Sequence, residues 1–223
     1  MPSSEHADVP TGGRAFVRVL PYGDRALLVE LSTAAEVASF TAVLRQTAVM
    51  GVVELVPAAR TVLVRYDPDV GSVESLRRVL ATIDPGPVGS PSAVASSPVV
   101  IEVRYDGEDL AAVADECGLT VDEVVRRHQA PTYRSAFCGF APGFAYLTGL
   151  DARLAVPRLA TPRPRVAAGS VAIASEFAGV YPTAMPGGWR LLGHTDAVLW
   201  DLARAQPALL APGTSVRFRS VDR

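Results

Sequence analysis

The chain has 223 residues, 49% hydrophobic and 20% charged, a balance that excludes a mainly disordered chain and allows one large domain or two small ones. Its 21 basic groups, all arginine, face 23 acidic ones, and the net charge of -2 excludes the basic footprint of a dedicated nucleic-acid binder. Neither lysine nor asparagine occurs, so Schiff-base chemistry, a phosphate loop of the G-x-x-x-x-G-K type and a Cys-His-Asn triad are excluded as well.

Met1–Gly13 carries Glu5 and Asp8 without an apolar core, which is not the pattern of a signal peptide. Ala15–Leu20 and Ala26–Leu31 read as strands joined by the turn residues Pro21-Tyr22-Gly23-Asp24. Thr33 and Glu36 form a capping-box pattern ahead of Val37, Phe40, Leu44 and Ala48, the stripe of an amphipathic helix that Gly51 is expected to stop. Val52–Val56 and Thr61–Tyr66 read as strands, and Ser72 opens a second helix with Val73, Leu76, Leu80 and Ile83 on one face. The expectation is a ββαββα domain over residues 1–84. Residues 85–98, rich in Pro, Gly and Ser, read as a linker.

A second domain is expected over residues 99–223. It opens with a strand, Val99 to Tyr105, and continues with two short helices. The first carries Leu110, Val113, Ala114 and Cys117; the second starts at the capping box Thr120–Glu123 and ends near His128. From Pro131 on, short strands alternate with Gly and Pro turns, the pattern of a β-barrel or sandwich. Val198 with Trp200, and Val216 with Phe218, are expected in late strands. No apolar run reaches the roughly 18 residues of a membrane span, and two cysteines suit a reducing, cytoplasmic location.

Chemistry concentrates between Val124 and Ser175, where Arg126, Arg127, Arg134, Arg153, Arg158, Arg163 and Arg165 face Asp151 alone. Two readings stand: an anion site, since guanidinium forks pair with carboxylate and phosphate, or internal salt bridges to the acidic remainder of the chain. Arg158 and Arg163 are the first candidates, because each follows a proline that fixes the backbone. The loops Gly139-Phe140-Ala141-Pro142-Gly143-Phe144, followed by Tyr146, and Pro186-Gly187-Gly188-Trp189 pair rigid with permissive residues and either line a site or turn barrel corners. His194, beside Gly193, is read as a loop histidine able to face a ligand, and His128 as a buried helix-end residue. Cys138 has no base identifiable from sequence. Three scattered histidines make no metal site.

Gly139–Leu147 (GFAPGFAYL), Pro157-Arg158 with Thr161-Pro162-Arg163, Ala168-Gly169-Ser170-Val171, Val180-Tyr181-Pro182, Pro186–Trp189, and Pro212-Gly213 ahead of Val216-Arg217-Phe218 carry a resemblance. Together they resemble the family of the B subunit of bacterial ATP-dependent 5-oxoprolinase, long labelled allophanate hydrolase subunit 1. That family also contains the Kip inhibitor of a sporulation histidine kinase and the carboxyltransferase region of biotin-dependent urea carboxylase. The resemblance implies an α+β protein with a ferredoxin-like or related N-terminal domain and a cyclophilin-like barrel behind it. It further implies a complex, with a homologous C subunit and with an A subunit, that opens 5-oxo-L-proline to L-glutamate at the expense of ATP. Biotin enters only under the carboxyltransferase alternative, and histidine-kinase inhibition only under the Kip alternative. The expected ligand is a small anionic substrate or intermediate, with no nucleic acid and no membrane as partner. Ala167, Phe177 and His194 depart from residues frequent in the family, and these changes bear on which ligand is held.

Overall fold

The hairpin expected around Pro21–Asp24 forms from β1 (Arg18–Pro21) and β2 (Ala26–Glu30), paired antiparallel. A computed structural model describes residues 17–84 and 97–221, so the reading of Met1–Gly13 and most of the linker lie outside the described residues. α1 (Ala34–Thr47) begins where the capping box places it, with the Thr33 side chain accepting from the Glu36 N–H. The Glu36 carboxylate accepts in turn from Ser32 N–H at 2.7 Å, one residue earlier than the usual reciprocal bond. Gly51 does not stop this helix. Ala48 takes the left-handed C-cap at φ 44°, and Gly51 serves the turn into β3 (Val52–Pro57).

β4 (Thr61–Tyr66) and α2 (Val73–Thr82), capped by Ser72, complete the ββαββα order. The four strands form an antiparallel sheet in the order β1-β2-β4-β3. Alternation along β2 and β4 turns Leu27, Val29, Val62, Val64 and Tyr66 to one face, where the α1 stripe and Leu76, Leu80 and Ile83 of α2 close a single core.

Residues from Ser92 on form a second compact unit, the first reaching to Pro91. Here β5 (Val99–Val103) pairs parallel with β13 (Ser215–Ser220). Between them the chain runs through α3 (Leu110–Cys117), α4 (Val121–Gln129, capped by Thr120), β6 (Tyr133–Cys138) and β7 (Ala145–Thr148), then a short 3-10 turn at Ala152–Leu154. β8 (Arg163–Val166), β9 (Ser170–Ala174), β10 (Phe177–Val180), β11 (Met185–Gly187) and β12 (Arg190–His194) follow.

Seven strands pair in the order β12-β9-β10-β7-β6-β13-β5, and β8 with β11 makes a separate two-stranded ribbon. The ends of the large sheet meet: Arg104 and His194 exchange backbone bonds of 2.8 Å, and Gly107 N–H donates to Leu192 O at 3.1 Å. Gly193 permits this closure, since a Cβ there would collide with the Arg104 carbonyl. Ile101, Val103, Tyr133, Leu147, Val171, Ile173, Leu192 and Phe218 fill the interior. The strand expected at Val198 and Trp200 does not form: Trp200 makes one isolated bridge to Ala208, and Leu199 between them is the buried residue. No helix among the described residues is long and apolar enough to cross a membrane.

Candidate functional site

The loop between β6 and β7 is held at its base by Gly139 N–H to Phe144 O, 3.2 Å, and Phe144 N–H to Ala141 O, 3.0 Å. At its tip Ala141 N–H donates to Gly139 O at 2.8 Å across Phe140, whose φ of 72° is left-handed. A non-glycine residue in this region stores of order 1–3 kcal/mol, and here the strain projects a phenyl ring that is 60% exposed. Phe144 anchors the loop from below, its ring meeting Phe140, Tyr146, Tyr181 and Trp189 edge-on at 5.3 to 5.4 Å.

Trp189 enters from the turn between β11 and β12, and Leu159 N–H donates to Gly188 O at 2.7 Å, tying the segment after Pro157 to that turn. These pieces surround a cavity of about 260 Å³ whose principal walls are Phe140, Tyr146, Arg158, Pro162, Tyr181 and Trp189, with Leu159, Pro186, Gly187 and Gly188 at its edges. The Arg158 guanidinium lies over the Trp189 ring, 5.9 Å from its centroid. Tyr181 is fully buried beneath the cavity, with its hydroxyl packed against Gly187 and close to the Trp189 backbone. Burial pushes that hydroxyl up from its ordinary range, against smaller opposing pulls from the Trp189 backbone and the Arg158 and Arg163 charges, and leaves it a proton donor at neutral pH. Gly139, Pro142 and Gly143 shape the loop without lining the cavity.

His194 lies elsewhere. It ends β12 rather than sitting in a loop, and it borders a groove of about 360 Å³ with Arg104, Asp196, Glu102 and Arg219. The Arg104 guanidinium donates to His194 Nε2 at 2.8 Å and pairs with Asp196 at 3.1 Å, while Arg219 pairs with Glu102. The groove thus presents charges that already satisfy one another.

The arginine-rich stretch divides along the two readings. Arg126 pairs with Glu123, and Arg127 with Glu123 and Asp151, all at 2.7 Å. Arg163 on β8 reaches Asp109 at 2.8 Å and Glu108 at 3.3 Å, so its charge is balanced inside the chain and does not face the cavity. The same Asp109 carboxylate accepts from Leu191 N–H at 2.7 Å, which joins the start of α3 to β12. Arg165 is exposed on β8 and also stands outside the cavity. Of the arginines singled out from sequence, Arg158 alone lines it. Tyr181, Leu159 and Pro162 are not among the site residues expected from sequence; the Val180-Tyr181-Pro182 step is the available signal for the first.

His128 is fully buried, with Tyr105 Oη at 2.8 Å from Nδ1 and no partner at Nε2, and burial pushes its pKa down to about 3. Cys138 Sγ contacts the Leu210 carbonyl at 3.5 Å, and burial pushes the thiol up, away from a reactive thiolate. Among the described residues no group of three or more His, Cys, Asp or Glu side chains is placed to hold a metal ion.

An antiparallel sheet backed by two helices, followed by a closed barrel with an aromatic pocket in its loops, defines a two-unit α+β protein with a cyclophilin-like second unit. The chain belongs to the family described as carboxyltransferase domain, subdomain C and D, whose family model matches residues 17–210. It is 39% identical over 202 residues to the B subunit of 5-oxoprolinase from Escherichia coli O157:H7, across 88% of this chain and 92% of that protein. The crystal structure of TTHA0988 superimposes with a TM-score of 0.73 at 36% identity over 89% of this chain, which spans 41% of that longer one. Kluyveromyces lactis urea carboxylase shares the fold, with a TM-score of 0.68 at 20% identity over 92% of this chain and 22% of that one.

Proposed function

We propose that the chain is the B subunit of a cytoplasmic, ATP-dependent 5-oxoprolinase that opens 5-oxo-L-proline to L-glutamate together with an A subunit, and with a homologous C subunit. The observation that carries this reading is the 39% identity to a 5-oxoprolinase B subunit over 92% of that protein's length. The chemistry of the chain supports a component rather than a self-contained enzyme. The Cys138 thiol is raised by burial, the buried His128 is neutral, and neither stands at the aromatic cavity. A cavity with apolar walls and one guanidinium does not suit a triphosphate, which supports a nucleotide site on the A or the C subunit. Urea carboxylase shares the fold, and no feature of the aromatic cavity favours the carboxyltransferase or the Kip-type alternative.

The test is reconstitution. The purified chain is mixed with its candidate C subunit, association is followed by light scattering, and glutamate formation is assayed with ATP and the A subunit. The expected result is association at micromolar concentration and turnover only when all three proteins are present. Turnover by the isolated chain, or failure of the B and C subunits to associate, rejects the reading.

A further inference from the structure

We propose that Arg190, anchored by Glu116 of α3, is the positioning residue that holds the Arg158 guanidinium over the Trp189 ring. Neither Arg190 nor Glu116 lines the cavity. The assignment stands on the bonds behind the cavity wall, and only its kinetic consequence rests on the 5-oxoprolinase reading.

Arg158 and Trp189 come from separate segments, Pro157-Arg158-Leu159 and Gly188-Trp189-Arg190, and two hydrogen bonds staple those segments on either side of the pair. On one side Leu159 N–H donates to Gly188 O at 2.7 Å; on the other Arg190 Nε donates to Pro157 O at 3.3 Å. Pro157 has no N–H, so its carbonyl is the one backbone group it offers to a second bond. With the first bond alone the 157–159 segment would pivot about a single point. The second bond fixes its direction.

The second bond comes from a side chain that is itself held. Arg190 Nη2 donates to the Glu116 carboxylate at 2.7 Å, and the Arg190 side chain is 17% exposed. A guanidinium is a planar fork, so fixing one nitrogen on Glu116 fixes the aim of Nε as well. The same helix frames the next residue: the Asp109 carboxylate at its N-cap accepts from Leu191 N–H at 2.7 Å, and Asp109 N–H donates to Leu191 O at 3.1 Å. α3 is thus the frame against which the start of β12 and the 157–159 segment are set.

Distance decides how much this matters. Arg158 lies 5.9 Å from the centroid of the Trp189 ring, at the edge of the roughly 6 Å over which an aromatic face attracts a cation. A small outward shift of the 157–159 segment therefore takes Arg158 off the ring. Among the described residues Arg158 makes no ion pair that would hold it there instead, whereas Arg163 is tied to Glu108 and Asp109.

The experiment uses the full chain with Trp200→Phe, which leaves Trp189 as its single tryptophan, and reads indole emission and its quenching by acrylamide. Arg158→Ala sets the reference change produced by losing the guanidinium. The expected result is that Arg190→Met reproduces most of that change, that Glu116→Ala shifts the signal in the same direction, and that Arg190→Met adds nothing in an Arg158→Ala background. Arg127→Met breaks comparable pairs with Glu123 and Asp151 and should lower stability while the Trp189 signal stays in place. Should Arg190→Met fail to fold, Glu116→Ala, at a side chain 36% exposed, decides on the same signal. A parent-like signal in Arg190→Met or in Glu116→Ala overturns the assignment, as does an equal shift in Arg127→Met. No change in Arg158→Ala overturns it too, since no guanidinium is then held over the indole. In the reconstituted complex Arg190→Met should raise KM for 5-oxo-L-proline about two- to tenfold, the span of one hydrogen bond, with kcat within about twofold of the parent. The two readings fail separately: a complex without turnover rejects the 5-oxoprolinase reading and leaves the spectra to decide on Arg190, and turnover with an unchanged KM or spectrum in Arg190→Met rejects the positioning role alone.

Discussion

Arg158 and Arg163 each follow a proline, five positions apart, and the fold puts them to different uses. Arg163 braces the barrel, because Asp109, with a side chain only 9% exposed, depends on it for charge balance while also holding Leu191 N–H. Arg163→Ala would leave that carboxylate underpaired. Breaking a buried pair costs roughly 3–5 kcal/mol, and since Arg163 keeps 21% of its side chain exposed the expected loss is about 2–3 kcal/mol, read from urea unfolding. Gly187→Ala tests the opposite corner of the cavity. The new methyl group must push the Tyr181 hydroxyl aside, so a stability loss of roughly 1–3 kcal/mol, typical of overpacking, is expected. Unchanged melting of this variant would show that Tyr181 has room to swing away.

At the scale of elements, two helix ends carry predictions of opposite sign. Ala48 closes α1 in a left-handed conformation that glycine adopts without a Cβ penalty, so Ala48→Gly is expected to raise stability by about 0.5–1 kcal/mol in a denaturant titration. His128, near the end of α4, is packed against Tyr133 and Phe218 and stays neutral down to about pH 3, whereas the unfolded chain protonates it near 6.5. From pH 6.5 down towards 3 the unfolded state therefore binds one more proton at this site than the native state does. The contribution of His128 is complete above pH 6.5 and falls by about 1.4 kcal/mol per unit below it. Glu123 and Asp151, held low chiefly by Arg126 and by the Arg153 backbone with Arg127, add losses in the same direction at lower pH. In His128→Gln the slope between pH 6 and 4.5 should flatten, measured by unfolding at several pH values; an unaltered slope would place the proton uptake elsewhere. The helices are legible in the sequence because caps and 3.6-residue stripes are local: Thr33, Ser72 and Thr120 each sit where the chain turns helical. Barrel closure is not legible, since it joins Arg104 to His194 across 90 positions. For the same reason Gly193, which resembles loop punctuation, is a strand glycine that admits the Arg104 carbonyl. The site divides likewise. Phe140, Tyr146, Arg158 and Pro186–Trp189 announce themselves as Gly/Pro loops flanked by aromatic and basic residues. The acidic partners that remove Arg163 from the cavity lie more than fifty residues away and leave no trace in its local sequence.

At the scale of the whole molecule, the chain builds two cores from separate stretches, one from Leu27 to Ile83 and one from Ile101 to Phe218. The second belongs to a closed barrel with helices packed on β12 and β13, a size at which an isolated domain ordinarily folds. The first is a four-stranded sheet with two helices in fewer than a hundred residues, where burial is proportionally smaller and stability more marginal. We therefore expect residues 99–223 to fold alone, and scanning calorimetry of the full chain to show two transitions, the lower belonging to the N-terminal unit. Acidification offers a way to assign them, because His128 lies in the second unit: lowering the pH from 7 to 5 should bring down the upper transition more than the lower, and His128→Gln should remove most of that difference. The isolated 99–223 fragment should reproduce the upper transition and its pH dependence. Limited proteolysis provides an independent reading, with first cleavage expected between residues 85 and 98 and the fragment beyond it surviving. A single transition whose calorimetric and van't Hoff enthalpies agree for the full chain would reject the division, as would first cleavage inside Gly139–Tyr181.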